Sequence, residues 1–409
     1  MTITDDPPRR RQVSTLKTHD RQDSRMQPRD LSDHVAYEAG RGIEEVAREL
    51  DRDPSEFIKL ASNENPHGPS PAAAVAIRET ASSVSSYPKA AHADLTTAVA
   101  GRWNVTDDQV WLANGGDGAI DYLHRTTLDP DDAVLVPTPG FAYYGMSSRF
   151  HHGDVREYEL SKADDFTQEA DAVLEAYDGE RVIWVTSPHN PTGSTMPLAE
   201  IERLADETDE ETLIAVDEAY GEFADGESAI ALLDGWDEFE ARDDVAVLRT
   251  FSKAYGLAGV RLGYAVVPDE WADAYARVNT PFAASELACR AGLAAIDDEE
   301  HVVRSVETTR ESRAYMRDHI DAHVWESQGN FVLVDVGDAS AVAAEMQERG
   351  VIVRDCSSFG LPGCVRITCG TEDETERAVE TLNDVLDDLD VEPESAGEPE
   401  NPDAEVADP

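Results

Sequence analysis

The chain has 409 residues, enough for two domains, and its 85 acidic against 34 basic residues leave a formal net charge of -51. Such a surface repels phosphate backbones, which argues against nucleic acid as a partner, and acid spread along the whole chain suits a surface solvated in a high-salt cytoplasm. No apolar run reaches the ~18 residues that a membrane span needs, and the N-terminus lacks the apolar core of a signal peptide.

Residues 1–30 are poor in apolar side chains and rich in Arg and Asp, so a disordered extension is expected there. An arm over 31–62 should carry an amphipathic helix at 41–50, with apolar residues at 43, 46, 47 and 50, and a short strand at 57–60. The run at 61–71, dense in Asn, Pro and Gly, reads as an irregular loop. Over 63–285, helix-length segments alternate with short apolar runs at 133–136, 181–185, 213–216, 245–248 and 264–267. That is the pattern of a large domain built on a mostly parallel sheet covered by helices on both faces. Residues 286–389 read as a smaller α/β C-terminal domain, joined by the N-terminal arm. It should be largely helical from 285 to 320, with strands at 331–336, 351–354 and 364–369 between helices at 340–349 and 372–389. Residues 390–409 carry acid and no basic side chain, and should form a solvated, disordered tail. Cys289, Cys356, Cys364 and Cys369 show no CxxC spacing and no nearby histidine pair. Free buried thiols in a cytoplasmic protein are expected, and no metal.

The chemistry-bearing residues cluster where those apolar runs end, the rim at which α/β sheets collect ligands. After the run at 245–248 come Thr250, Ser252 and Lys253, and Arg261 follows eight residues past the lysine. An amine beside hydroxyls and a guanidinium can hold a phosphorylated aldehyde: the amine as a Schiff base, the others on the phosphate. With Gly256, Gly259 and Gly263 at these offsets, the segment resembles the lysine loop of fold-type I pyridoxal-phosphate (PLP) enzymes. The loop at 186–193 contains Asn190-Pro191-Thr192-Gly193 and is similar to the NPTG loop of aminotransferases. Taken alone it is a Pro/Gly turn. The resemblance makes Asn190 a hydrogen-bond donor to the cofactor's phenolate oxygen. Asp217, at the end of the run at 213–216, would then pair with the pyridinium nitrogen, and Tyr220 would join Asn190 at the phenolate. As a bare residue Asp217 also fits a helix N-cap. Gly116 and Asp117, opening a helix after the apolar 110–112, would offer backbone N–H groups to the phosphate; the family usually has Glu where this chain has Gly118. Phe141, with Tyr144 as the second choice, would stack on the cofactor ring, against the ordinary alternative of core packing.

Two further segments are similar to the histidinol-phosphate aminotransferase branch of that family: residues 37–47 with 59–71, and 353–368. Arg366 matches the clamp for the substrate α-carboxylate, where a bidentate guanidinium suits a planar group, and Arg354 matches the receiver of the substrate's phosphate. A surface salt bridge is the plain alternative for each. Tyr37 and Asn330 join the substrate set, and Tyr87 matches a tyrosine that crosses a dimer interface to the partner's cofactor phosphate. The resemblance implies a homodimer with shared active sites, transferring amino groups between L-histidinol phosphate and 2-oxoglutarate (with glutamate) in a ping-pong cycle. Threonine-phosphate decarboxylase and aromatic amino-acid aminotransferase are alternatives within the fold. A DNA-binding regulator of the same fold is disfavoured by the charge.

Overall fold

A computed structural model describes residues 31–32, 34, 36–37, 40–234 and 241–389. The extension expected over 1–30 and the tail expected over 390–409 lie outside the described residues. The chain divides into two units, Met1–Val35 and Ala36–Pro409. Of the first, the described part is a single turn in which the His34 N–H donates to the Leu31 carbonyl at 3.0 Å.

The centre of the second unit is a seven-stranded sheet: β1 (Val110–Ala113), β2 (Ala133–Thr138), β3 (Asp154–Glu159), β4 (Val182–Thr186), β5 (Leu213–Asp217), β6 (Val245–Thr250) and β7 (Gly263–Val266), in the order β1-β7-β6-β5-β4-β2-β3. The strands from β3 to β6 run parallel, while β7 is antiparallel to both β6 and β1. Strands β4, β5 and β6 are buried along their whole length. Helices on both faces leave no position for a polar alternation, so these strands read as unbroken apolar runs. Strand β3 is the exception. Its sequence Asp-Val-Arg-Glu-Tyr-Glu lies at the sheet edge and is mostly exposed. A parallel register sets Thr186 beside Asp217 and Asp217 beside Leu248, so the carboxyl ends of β4, β5 and β6 share one rim.

A second, antiparallel sheet has the order β9-β10-β8, from β8 (Phe331–Asp335), β9 (Arg354–Asp355) and β10 (Cys364–Thr368). Alternation along β10 sends Val365 and Ile367 into a core with Val334, Val342 and Leu382. The same pleat turns Cys364 to the main core, and with it Arg366 to the opposite face. Residues Ile58–Lys59 pair in parallel with Val351–Ile352, and the Leu60 carbonyl accepts from the Thr368 N–H at 2.8 Å. The chain at 58–63 is thus laced to this sheet. The helical stretch expected over 285–320 is two helices, Glu286–Ile296 and Glu299–His319, separated where Asp298 caps the second by accepting from the His301 N–H. All four cysteines are free and buried. Among the described residues no helix is long and apolar enough to cross a membrane.

Candidate active site

A cleft of about 570 Å³ opens at the rim of β4, β5 and β6 and is closed on the far side by β9 and β10. Of the candidate cofactor- and substrate-binding side chains and the Gly116–Asp117 segment, all but Tyr87 and Asn330 line it. Five basic side chains (Lys59, Lys253, Arg261, Arg354, Arg366) face three acidic ones (Glu64, Asp117, Asp217) there. That balance reverses the sign of the chain as a whole and marks the cleft for an anionic ligand.

Asp217 ends β5 on the cleft wall and is 6% exposed. One carboxylate oxygen accepts from the Ala219 N–H at 2.9 Å, a local turn and not the helix N-cap that the bare residue also fitted, since the next helical turn, Gly221–Phe223, has Tyr220 at its N-cap. The other accepts from the Tyr144 hydroxyl at 2.6 Å, and Thr186 completes the relay at 2.9 Å from that hydroxyl. Burial outweighs these bonds and pushes Asp217 up to about 6. No cationic side chain is bonded to it among the described residues, so the carboxylate is costly until a cation arrives. Tyr144 is itself stacked on Trp184, with centroids 4.6 Å apart and planes at 14°. One face of its ring is committed there. Phe141 is half-buried on the cleft wall, at a steep angle to both Tyr144 and Tyr37.

Lys253 sits past the end of β6 with its ammonium 5.4 Å from the centre of the Tyr220 ring. Burial first, then the Arg366 guanidinium, draws it down to about 8, so a fraction of the amine is free base near neutrality. Beside it the Thr250 hydroxyl donates to Ser252 at 2.9 Å. Arg261, in the left-handed region at φ 54°, reaches Asp117 at 2.8 Å over the start of the helix Gly115–Thr127. The backbones are close enough here that a Cβ at Gly263 would lie 2.7 Å from the Gly115 carbonyl carbon and 2.9 Å from the Gly116 nitrogen. Gly263→Ala should therefore cost about 1–3 kcal/mol of stability. A thermal unfolding midpoint unchanged in high salt would show that the helix start gives way freely.

Arg354 and Arg366 oppose each other in register across β9 and β10. Arg366 is 5% exposed; one terminal nitrogen donates to the Asn190 side-chain oxygen, and the other to the Ala61 carbonyl at 2.9 Å. Its Nε is buried with no hydrogen-bond partner. No carboxylate is bonded to this guanidinium among the described residues, a deficit that an incoming anion would make good. Because Asn190 accepts through oxygen, its amide nitrogen remains the donor. Asn63, also in the left-handed region at φ 53°, donates from its side chain to the Tyr220 hydroxyl at 2.9 Å and from its backbone to Thr368 at 2.9 Å. Among the described residues no cluster of His, Cys, Asp and Glu could hold a metal ion.

The family model for aminotransferase class I and II matches residues 55–382. The chain belongs to the class I and II aminotransferases. A histidinol-phosphate aminotransferase of Natronomonas pharaonis is 67% identical over 361 residues, covering 88% of this chain and 100% of that protein. One from Methanocella arvoryzae is 41% identical over 354 residues, covering 85% and 95%. Among solved structures, the histidinol-phosphate aminotransferase of Sinorhizobium meliloti, in complex with pyridoxal-5'-phosphate, matches with a TM-score of 0.79 at 25% identity, over 90% of this chain and 98% of that one.

Two expected site residues of this aminotransferase lie outside the cleft. Asn330 is buried behind Asn63 and donates to its carbonyl at 3.1 Å; its own side-chain oxygen has no partner. Tyr87 is 74% exposed and stacks on Phe282 at 4.4 Å, away from the chain's own cleft. The reading from sequence missed Tyr144 as the partner of Asp217 and Asn63 as the partner of Tyr220. Each is a polar group whose role depends on a long-range contact, and neither spacing nor motif signals it.

Proposed function

We propose that this aminotransferase exchanges an amino group between L-histidinol phosphate and 2-oxoglutarate, with PLP seated between Lys253, Asp217 and Phe141. The observation that carries the substrate class is the pair of opposed arginines, one of them a buried guanidinium with an orphaned N–H. The relatives named histidinol-phosphate aminotransferase support the same reading. The residues fit the cofactor. An uncompensated carboxylate awaits a pyridinium, the start of the helix Gly115–Thr127 and the Thr250 and Ser252 hydroxyls await a phosphate, and the Phe141 ring on the cleft wall suits a flat partner.

When bound, the cofactor supplies an electron sink for the pair released as substrate Cα loses its proton. Asp217 would keep the ring nitrogen protonated, with Tyr144 fixing the orientation of the carboxylate. The Asn190 amide nitrogen and the Tyr220 hydroxyl would donate to the phenolate oxygen. Lys253, held near 8, would take the proton from Cα and return it, since its free and protonated forms coexist at working pH. Arg366 would clamp the α-carboxylate of glutamate, and Arg354 would receive the phosphate of histidinol phosphate, with Tyr37 at the mouth. We read the enzyme as cytoplasmic, in keeping with its four free thiols. We also read it as a homodimer with shared sites, the exposed Tyr87–Phe282 pair being the surface that a second copy would cover.

The test is a donor and acceptor panel with reconstituted holoenzyme: amino transfer from glutamate to imidazole-acetol phosphate, against release of CO2 from threonine phosphate. Arg354→Ala should raise KM for histidinol phosphate by about 10- to 100-fold while changing that for glutamate far less. Equal weakening of both substrates would assign Arg354 to structure instead.

A further inference from the structure

A second cavity of about 450 Å³ lies beside the cleft, walled by Thr138 at the end of β2 with Pro139 after it, by Glu159, Leu160, Lys162 and Phe166 at and after the end of β3, and by the loop before β10. Phe359 is the one described residue that lines both this cavity and the cleft. It ends a short 3-10 turn, Ser357–Phe359, closed by Gly360 in the left-handed region at φ 88°. Its ring centre lies 5.4 Å from the Arg354 guanidinium and 5.7 Å from that of Arg366. A single phenyl ring thus meets both opposed arginines in the cleft and also borders a second cavity whose wall mixes apolar and charged side chains.

We propose that Phe359 is a specificity-determining residue, the wall that fixes the length of the substrate pocket and keeps bulky aromatic donors out of the second cavity. The proposal rests on the functional reading above. Two physical effects meet in the side chain. Its volume separates two spaces that would otherwise be continuous, and a pocket wall of this kind discriminates by about 10- to 200-fold per group admitted or refused. Its π face attracts both guanidinium groups, which contributes about 2- to 30-fold to the affinity of whatever those groups must be held still to bind.

Substitution separates the two. Phe359→Ala removes wall and ring together, while Phe359→Leu keeps most of the wall and removes the π face. The experiment measures kcat and KM for L-tryptophan, glutamate and histidinol phosphate in the unmodified holoenzyme and both variants, with cofactor absorbance and thermal unfolding recorded for each. Phe359→Ala should raise the kcat/KM ratio of tryptophan over glutamate by about tenfold or more. Phe359→Leu should leave that ratio nearly unchanged. Both should raise KM for glutamate and histidinol phosphate with little change in kcat. A ratio that stays constant in Phe359→Ala, with all donors slowed alike, overturns the proposal. So does a rise of equal size in Phe359→Leu, since the wall would then have survived without effect. An unmodified enzyme that does not turn over histidinol phosphate fails the functional reading instead, and is recognised before any variant is compared.

Discussion

Purified Lys253→Ala protein should show no absorbance band from lysine-bound cofactor at the edge of the visible, and its turnover should fall by about four orders of magnitude or more. Among the described residues no other lysine or histidine lines the cleft except Lys59, whose ammonium is paired with Glu64 at 2.7 Å. The position of Lys253 makes a second readout possible. Its amine is drawn down to about 8, so the free-base fraction climbs as pH rises through that value. Cofactor uptake by the unmodified protein should accelerate over the same interval and level off above it. An absorbance band retained in Lys253→Ala would assign the covalent role elsewhere, and a flat pH profile for uptake would remove the free amine from the rate-limiting step.

Asp217→Asn should divide two properties that catalytic substitutions usually lower together. Turnover should fall by about a thousandfold, because a neutral amide cannot keep a pyridinium protonated. Stability of the cofactor-free protein should rise. The folded carboxyl titrates near 6 and an unfolded one near 3.9, so below both values the two states hold the same proton and the residue is neutral to folding. As pH climbs through that interval the unfolded chain ionises first, and stability is lost until the folded group has ionised too. Above about 6 the full penalty applies, on the order of 2–3 kcal/mol. The amide variant escapes it. Unfolding of cofactor-free protein at pH 5 and pH 8 in high salt measures the effect. A variant less stable than its parent at pH 8 would mean that the bonds from Tyr144 and Ala219 outweigh desolvation.

Much of the site was legible before any coordinates. Lys253, Asp217 and Asn190 follow apolar runs, and α/β sheets gather such strand ends on one rim, so chain order alone brought them near each other. The arginines at 354 and 366 were legible as a pair pointing into one cleft, but their direct opposition depends on an antiparallel register of sum 720, which only the hairpin defines. The antiparallel β7 was invisible as such, because a buried strand carries the same apolar run in either direction. Strand β3 was missed for the opposite reason: at the sheet edge it is mostly solvated, and its charges hide the strand. Phe359 left no mark in the sequence at all. A phenylalanine before glycine reads as a turn, and only the two spaces on either side of it give it meaning.

The bonds of Asn63 carry a mechanical consequence. This one residue is fastened by its backbone to Thr368 in the small sheet and by its amide to the Tyr220 hydroxyl beside the large one. Phe331 of the small sheet packs edge-to-face on the same Tyr220 ring at 5.1 Å, so a shift of that sheet relative to the large one would be felt at this hydroxyl through both a hydrogen bond and a ring contact.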